Sequence, residues 1–221
     1  MLKLKYKIQY NLSQVIGKGG IVMAGKLVLI DRQYGSGGRE VGKKISEKLG
    51  IPFYDGEMLL MAAEKFGFNL GIMQEYDEKN VKSLIYMIAM TAEYNSGNNN
   101  ASMPQNMYNA MSDTILRLAK EGQCVIMGRC ADYILKGIVD YVSVFVYASD
   151  MEQRTKRAID VDGVSPKDTA AYIKKRDKQR KDYYNFYTDG RWGAPENYDI
   201  CLNTSSINYD TCAEIICDLV K

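Results

Sequence analysis

Residues 26–50 read KLVLIDRQYGSGGREVGKKISEKLG, and this stretch decides the fold class. Its first part is an unbroken apolar run, Leu27 to Ile30, of the kind that forms a strand buried on both faces. Three glycines follow within four residues, at 35, 37 and 38. Beyond them Val41, Ile45, Lys48 and Leu49 recur at helical spacing until Gly50 stops the helix. Strand, glycine turn and helix in this order build a cradle for phosphate. The glycines let backbone N–H groups turn toward an anion, and the helix adds its positive end. The lysine that such cradles normally carry is missing.

The same alternation continues along the chain. IPFYD (51–55) reads as a short second strand and GEMLLMAAEKFG (56–67) as a helix with a thick apolar face. Residues 79–92 read as another helix. SGNNNASMPQN (96–106), rich in Asn, Gly and Ser, reads as a loop. A helix at 107–122 leads into the strand QCVIMG, and DYVSVFVYAS is a further strand. MEQRTKRAID and the basic, tyrosine-rich run 165–187 are helices. YDICLNTS is the last strand, with a closing helix from Asn208. Strands alternating with helices predict an α/β fold with a mostly parallel sheet covered on both faces. Residues 1–25 lie outside this pattern and read as an N-terminal extension; their GKGG (17–20) follows no strand and carries little weight.

Composition narrows the function. A chain of 221 residues with 46% hydrophobic and 25% charged residues is a soluble globular protein with room for one sizeable α/β domain. No apolar run reaches membrane-spanning length, and MLKLKYKIQYNLSQ lacks the continuous apolar core of a secretory signal. These features predict a cytoplasmic protein without membrane partners. A net charge of +2 is too small to argue for nucleic-acid binding. Five cysteines without a CxxC pair read as reduced core thiols. The sequence has no histidine, which removes Ser-His-Asp triads and histidine-ligated metals together.

Ligands of such sheets bind beyond the carboxyl ends of the strands, and three features collect there. YGSGGRE fails the dinucleotide pattern GxGxxG, because Glu40 stands where the third glycine belongs, and it fails GxxxxGK[ST] as written. VIMGRC ends a strand in Gly128-Arg129, setting a guanidinium at the mouth of the sheet, suited to a bidentate grip on phosphate or carboxylate. Arg176 and Arg180 lie one helical turn apart in KKRDKQRK, with Arg154 and Arg157 upstream. A charge run on a helix is ordinarily a solvated face. Beside a glycine cradle it supplies the cationic clamp that phosphoryl transfer requires.

Together DRQYGSGGREVGKKISEKLGIPFYDGEML, CVIMGRCADYIL and RDKQRKDYYNFYTDGRWGAPENYDICLNTSSI make the chain from Lys26 onward resemble the cytidylate kinase-like family, a branch of the P-loop nucleoside monophosphate kinases. The resemblance implies a three-layer α/β/α P-loop NTPase fold with a five-stranded sheet over 26–221. It also implies an acceptor-binding insertion at about 55–110 and an arginine-bearing lid at about 154–195. The implied activity is transfer of a phosphoryl group from ATP, with Mg²⁺, to CMP or dCMP. By position, Tyr34, Gly35, Ser36, Gly37, Gly38, Arg39 and Glu40 would hold the ATP phosphates. Asp55, Arg129 and Asp177 would serve the acceptor, and Arg39, Arg176 and Arg180 would neutralise charge in transfer. Tyr183, Tyr184 and Trp192 would frame lid closure, unless they are packing residues.

The departure is local. Gly38 stands at the lysine position of the family, followed by Arg39, with Glu40 in place of the hydroxyl residue. Arg39 is the expected substitute one residue late, Arg32 can assist from before the loop, and Glu40 either approaches magnesium or repels phosphate. Two alternatives stay open: a nucleotide-binding module without transfer, and a kinase for another small molecule. The sequence leaves oligomeric state undetermined.

Overall fold

The computed structural model describes residues 26–56, 61, 64 and 103–220. Five strands form one parallel sheet: β1 (Leu27–Arg32), β2 (Phe53–Tyr54), β3 (Val125–Met127), β4 (Tyr141–Tyr147) and β5 (Ile200–Asn203), in the order β2-β3-β1-β4-β5. The helices are α1 (Gly38–Leu49), α2 (Met103–Glu121), α3 (Ala131–Leu135), α4 (Met151–Asp160), α5 (Thr169–Tyr187) and α6 (Tyr209–Val220). This is the expected three-layer architecture.

The side-chain period of two in β1 builds both core layers from one strand. Leu27 and Leu29 pack with Ala110, Ile115, Leu118 and Leu135 on one face. Val28 and Ile30 pack with Val41, Ile45, Val144 and Ile216 on the other. Because β1 lies between β3 and β4, chain order reverses on its two sides, and a crevice opens where the loops after β1 and β3 diverge.

Three element boundaries differ from expectation. The predicted loop at 96–106 yields to α2 from Met103 onward, with Pro104 in the first turn, where its missing N–H costs no helical hydrogen bond. The predicted helix at 165–187 starts as a 3₁₀ turn, Pro166–Asp168, before α5. The short α3 has too few residues to show a period and was not anticipated. The predicted helix at 79–92, most of that at 56–67, the GKGG segment and most of the acceptor insertion lie outside the described residues.

Helix α4 is capped by Asp150, whose carboxylate accepts from the N–H groups of Glu152 and Gln153. All five cysteines are free and four are buried. Burial raises the Cys124 thiol to about 12 and pushes Cys130 well up, which makes both inert core groups, as expected.

Candidate functional site

The loop between β1 and α1 turns on Gly35 (φ 73°) and Gly37 (φ 76°), both left-handed, which glycine adopts without steric cost. The space behind each is filled. A Cβ on Gly35 would lie 2.7 Å from the Arg154 carbonyl oxygen, and one on Gly37 would run into the Tyr209 ring. Ser36 is buried and turns away from the crevice; its hydroxyl donates to the Gln33 carbonyl at 2.9 Å and accepts from the Gly38 N–H at 3.3 Å. The Tyr34 N–H donates to Asp177 at 2.7 Å, and those of Glu40 and Val41 return to the Gly37 carbonyl. Among the described residues, no acceptor meets the N–H groups of Gly35, Gly37 and Arg39.

These donors border a cavity of about 510 Å³ lined by Tyr34, Gly35, Gly37, Gly38, Arg39 and Glu40 of the loop, and by Asp55, Arg129, Arg157, Arg176 and Arg180. With Arg32 and Lys43 the lining has six arginines and one lysine against three carboxylates. Such an excess in a concave site selects anions and strengthens their attraction.

Each cation has a placement that the fold explains. Arg129 follows β3 in a turn where Gly128, Arg129 and Cys130 all have positive φ (72°, 61° and 57°). Two successive non-glycine residues in that region are strained; the turn aims the Arg129 side chain, only 9% exposed, into the cavity. Arg176 and Arg180 come from one face of α5, with their guanidinium carbons 5.9 and 5.6 Å from the centre of the Tyr34 ring. Arg180 also donates to the Arg32 carbonyl at 2.9 Å. Arg39 is on the rim, its side chain 61% exposed and paired with Asp55 at 3.0 Å.

Three expected site residues have other partners. Asp177 is not among the cavity-lining residues; it accepts from Tyr34 N–H and pairs with Arg154, whose Nε donates to the Tyr34 carbonyl at 2.8 Å. Glu40 is paired with Arg157 at 3.0 Å. Ser36 faces inward. Tyr184 donates its hydroxyl to Asp132 and Trp192 packs edge-on against Phe145. Lys43 was missed, although it stands four residues after Arg39 and so shares its helical face.

Beneath the cavity, Asp31 accepts from the Tyr198 hydroxyl at 3.1 Å. Burial, reinforced by the nearby Asp132 carboxylate, raises its pKa to about 6. Asp132 is also raised, by burial first.

The family model described as the cytidylate kinase-like family matches residues 27–206. A crystal structure of an uncharacterized protein from Eubacterium ventriosum aligns with a TM-score of 0.64 at 28% identity, covering 88% of this chain and 97% of that one. The shikimate kinase from Bacteroides thetaiotaomicron aligns with a TM-score of 0.50 at 12% identity over 89% of this chain and 98% of that one, a likeness of fold. No curated protein matches in sequence.

Proposed function

The chain belongs to the cytidylate kinase-like family, and from that premise we propose that it transfers the γ-phosphoryl group of ATP to a nucleoside monophosphate, with CMP or dCMP as acceptor. The observation that carries this reading is the trio of N–H groups at Gly35, Gly37 and Arg39, set on a cavity with a large excess of cations. Backbone donors held by glycine turns suit phosphate oxygens.

In this reading the loop from Tyr34 to Glu40 holds the ATP phosphates, with Arg39 adding charge at the rim. Arg129 grips the acceptor phosphate from its strained turn, and Asp55 borders the acceptor. Arg176 and Arg180 neutralise charge on the phosphoryl group as it moves. The acceptor oxygen is already anionic near neutral pH, so positioning and charge neutralisation carry the catalysis without a general base. Closure of the lid over the cavity would exclude water. Asp177 serves the acceptor only indirectly, by fixing the lid helix to the loop.

Magnesium would accompany the nucleotide and shield its phosphates. The protein residues fit it poorly. Glu40, the candidate ligand, is engaged with Arg157, and no cluster of three His, Cys, Asp or Glu side chains able to hold a metal occurs among the described residues. No step is therefore assigned to a protein-bound ion.

The test is ADP release in a coupled assay with ATP, Mg²⁺ and each nucleoside monophosphate; because a solved structure of this fold is a shikimate kinase, shikimate joins the panel. Turnover confined to pyrimidine monophosphates is expected, and no acceptor-dependent turnover with any of them would overturn the reading. A second reading is a nucleotide-binding module without transfer, favoured by the Glu40–Arg157 pair at the position of a hydroxyl residue. ATP binding by calorimetry without turnover would identify it. A nucleotide substrate and five free cysteines suit the cytoplasm, and no helix among the described residues is long and apolar enough to cross a membrane.

A further inference from the structure

We propose that Arg32 supplies the phosphate-facing cation that a phosphate loop ordinarily takes from its lysine, and that Gly38 is the second half of this exchange. The inference rests on the phosphate-binding reading above. Aligned to GxxxxGK[ST] through Gly37, the pattern asks for glycine at 32 and lysine at 38. This chain has arginine at 32 and glycine at 38. The two residue types have traded places.

The geometry ties the two changes together. A Cβ on Gly38 would stand 2.7 Å from the Arg32 Cβ, 3.2 Å from its Cγ and 3.2 Å from the Val146 Cβ. Helix α1 thus starts on top of the arginine stem, and no side chain at 38 fits while Arg32 lies there. Gly38 has no need of glycine for its own backbone, since its φ is not in the left-handed region. The requirement is one of space. At the far end of the same side chain, a Cβ on Gly128 would meet Arg32 Nη1 at 2.7 Å. One arginine is therefore bedded between two glycines, from the β1–α1 loop and from the end of β3.

That bed sets the guanidinium on the cavity wall. The Arg32 side chain is 13% exposed and its Nη2 is 3.6 Å from Asp55, whereas Arg39 is 61% exposed and holds the same carboxylate at 3.0 Å. A charge with restricted solvent access interacts more strongly with an anion than one on the rim. Asp55 holds both arginines at the site. Arg180, which bonds the Arg32 carbonyl, joins the lid helix to the same residue.

Four variants test the exchange: Arg32→Gln, which keeps the stem and removes the charge; Arg39→Gln; Gly38→Lys; and Arg32→Gly combined with Gly38→Lys. Each is melted thermally and titrated by calorimetry with inorganic tripolyphosphate, alongside the unaltered protein. Arg32→Gln is expected to lose about tenfold or more in affinity, as for removal of a charged hydrogen-bond partner, and Arg39→Gln less than about threefold. Gly38→Lys is expected to melt well below the parent, and the double variant to recover both melting temperature and affinity. If tripolyphosphate fails to bind the unaltered protein, the phosphate-site reading fails and this inference falls with it. If it binds the unaltered protein and Arg32→Gln equally well, only the assignment of Arg32 is overturned. A double variant that melts no higher than Gly38→Lys alone overturns the steric exchange.

Discussion

The Asp177–Arg154–Tyr34 clamp makes a quantitative prediction. Asp177 reaches from α5 to accept the Tyr34 N–H at 2.7 Å and to pair with Arg154 of α4, which in turn donates to the Tyr34 carbonyl. Surface ion pairs contribute about 0–1 kcal/mol, but the side chains here are 5% and 18% exposed, so the burial case applies. Asp177→Ala leaves a buried guanidinium without its counter-charge and a loop N–H without its acceptor. The cost of breaking such a pair from one side is about 3–5 kcal/mol. At about 2–4 °C per kcal/mol for a domain of this size, the melting temperature should fall by roughly 6–20 °C. Circular dichroism with thermal and urea denaturation measures it. Replacing both partners, Arg154→Met with Asp177→Leu, should cost well short of the sum of the single losses, with a coupling energy of at least about 1 kcal/mol. A loss below about 1 kcal/mol for Asp177→Ala would show the clamp to be solvated and the reasoning wrong.

Three further outcomes are expected. Arg129→Gly should be as stable as Arg129→Ala or more so, by up to about 1 kcal/mol, because glycine relieves a left-handed residue at some cost in chain entropy; both variants should raise the acceptor KM about tenfold or more, and urea melts with steady-state kinetics check this. Asp31, raised to about 6, binds its proton more readily folded than unfolded, so stability should decline as pH rises from about 4 to 6 and level off above. Asp31→Asn should shrink that decline, leaving the share that belongs to the raised Asp132 carboxyl, and stabilise the protein at pH 7 by up to about 3 kcal/mol, read from urea midpoints across pH. Tyr34→Ala removes the ring beside Arg176 and Arg180 and should lower kcat about tenfold, whereas Tyr34→Phe, which keeps the ring face, should stay within about threefold.

Much of the sheet was legible because most of its strands are apolar runs bounded by turn residues, the longest in β1 and β4. Leu27 to Ile30 carry the two-sided burial in their composition alone, and the alternating helices leave few other arrangements. The cradle was legible for a similar reason, since left-handed turns favour glycine. Partners distant in sequence were not. The resemblance assigns Asp177 to the acceptor, because it sits in the lid run with Arg176 and Arg180, although neighbouring residues of a helix point in different directions. The helix in fact points it back at Tyr34, 143 residues earlier. Glu40 likewise offered two opposite readings until Arg157 was found opposite it. Arg39 and Arg32 differed in sequence only by their distance from the missing lysine, and exposure separates them.

The loop glycines meet two demands, and this determines which experiments can report on function. Gly35 and Gly37 line the cavity, and no acceptor among the described residues meets their N–H groups, yet the main chain at Arg154 and the Tyr209 ring fill the space where their side chains would stand. A rigidly backed loop has little conformational freedom to lose when an anion arrives, which is how preorganised donors favour binding. The same backing means that Gly35→Ala or Gly37→Ala would disturb packing whether or not phosphate ever binds. Loss of activity in such variants therefore carries no information about phosphate. Substitutions that keep volume and remove charge, at Arg32, Arg39 or Arg129, leave the backing intact and change the charge an anion would meet, with the Asp55 pairs of Arg32 and Arg39 lost alongside. In this loop the arginines report on function, while the glycines report on the fold that presents them.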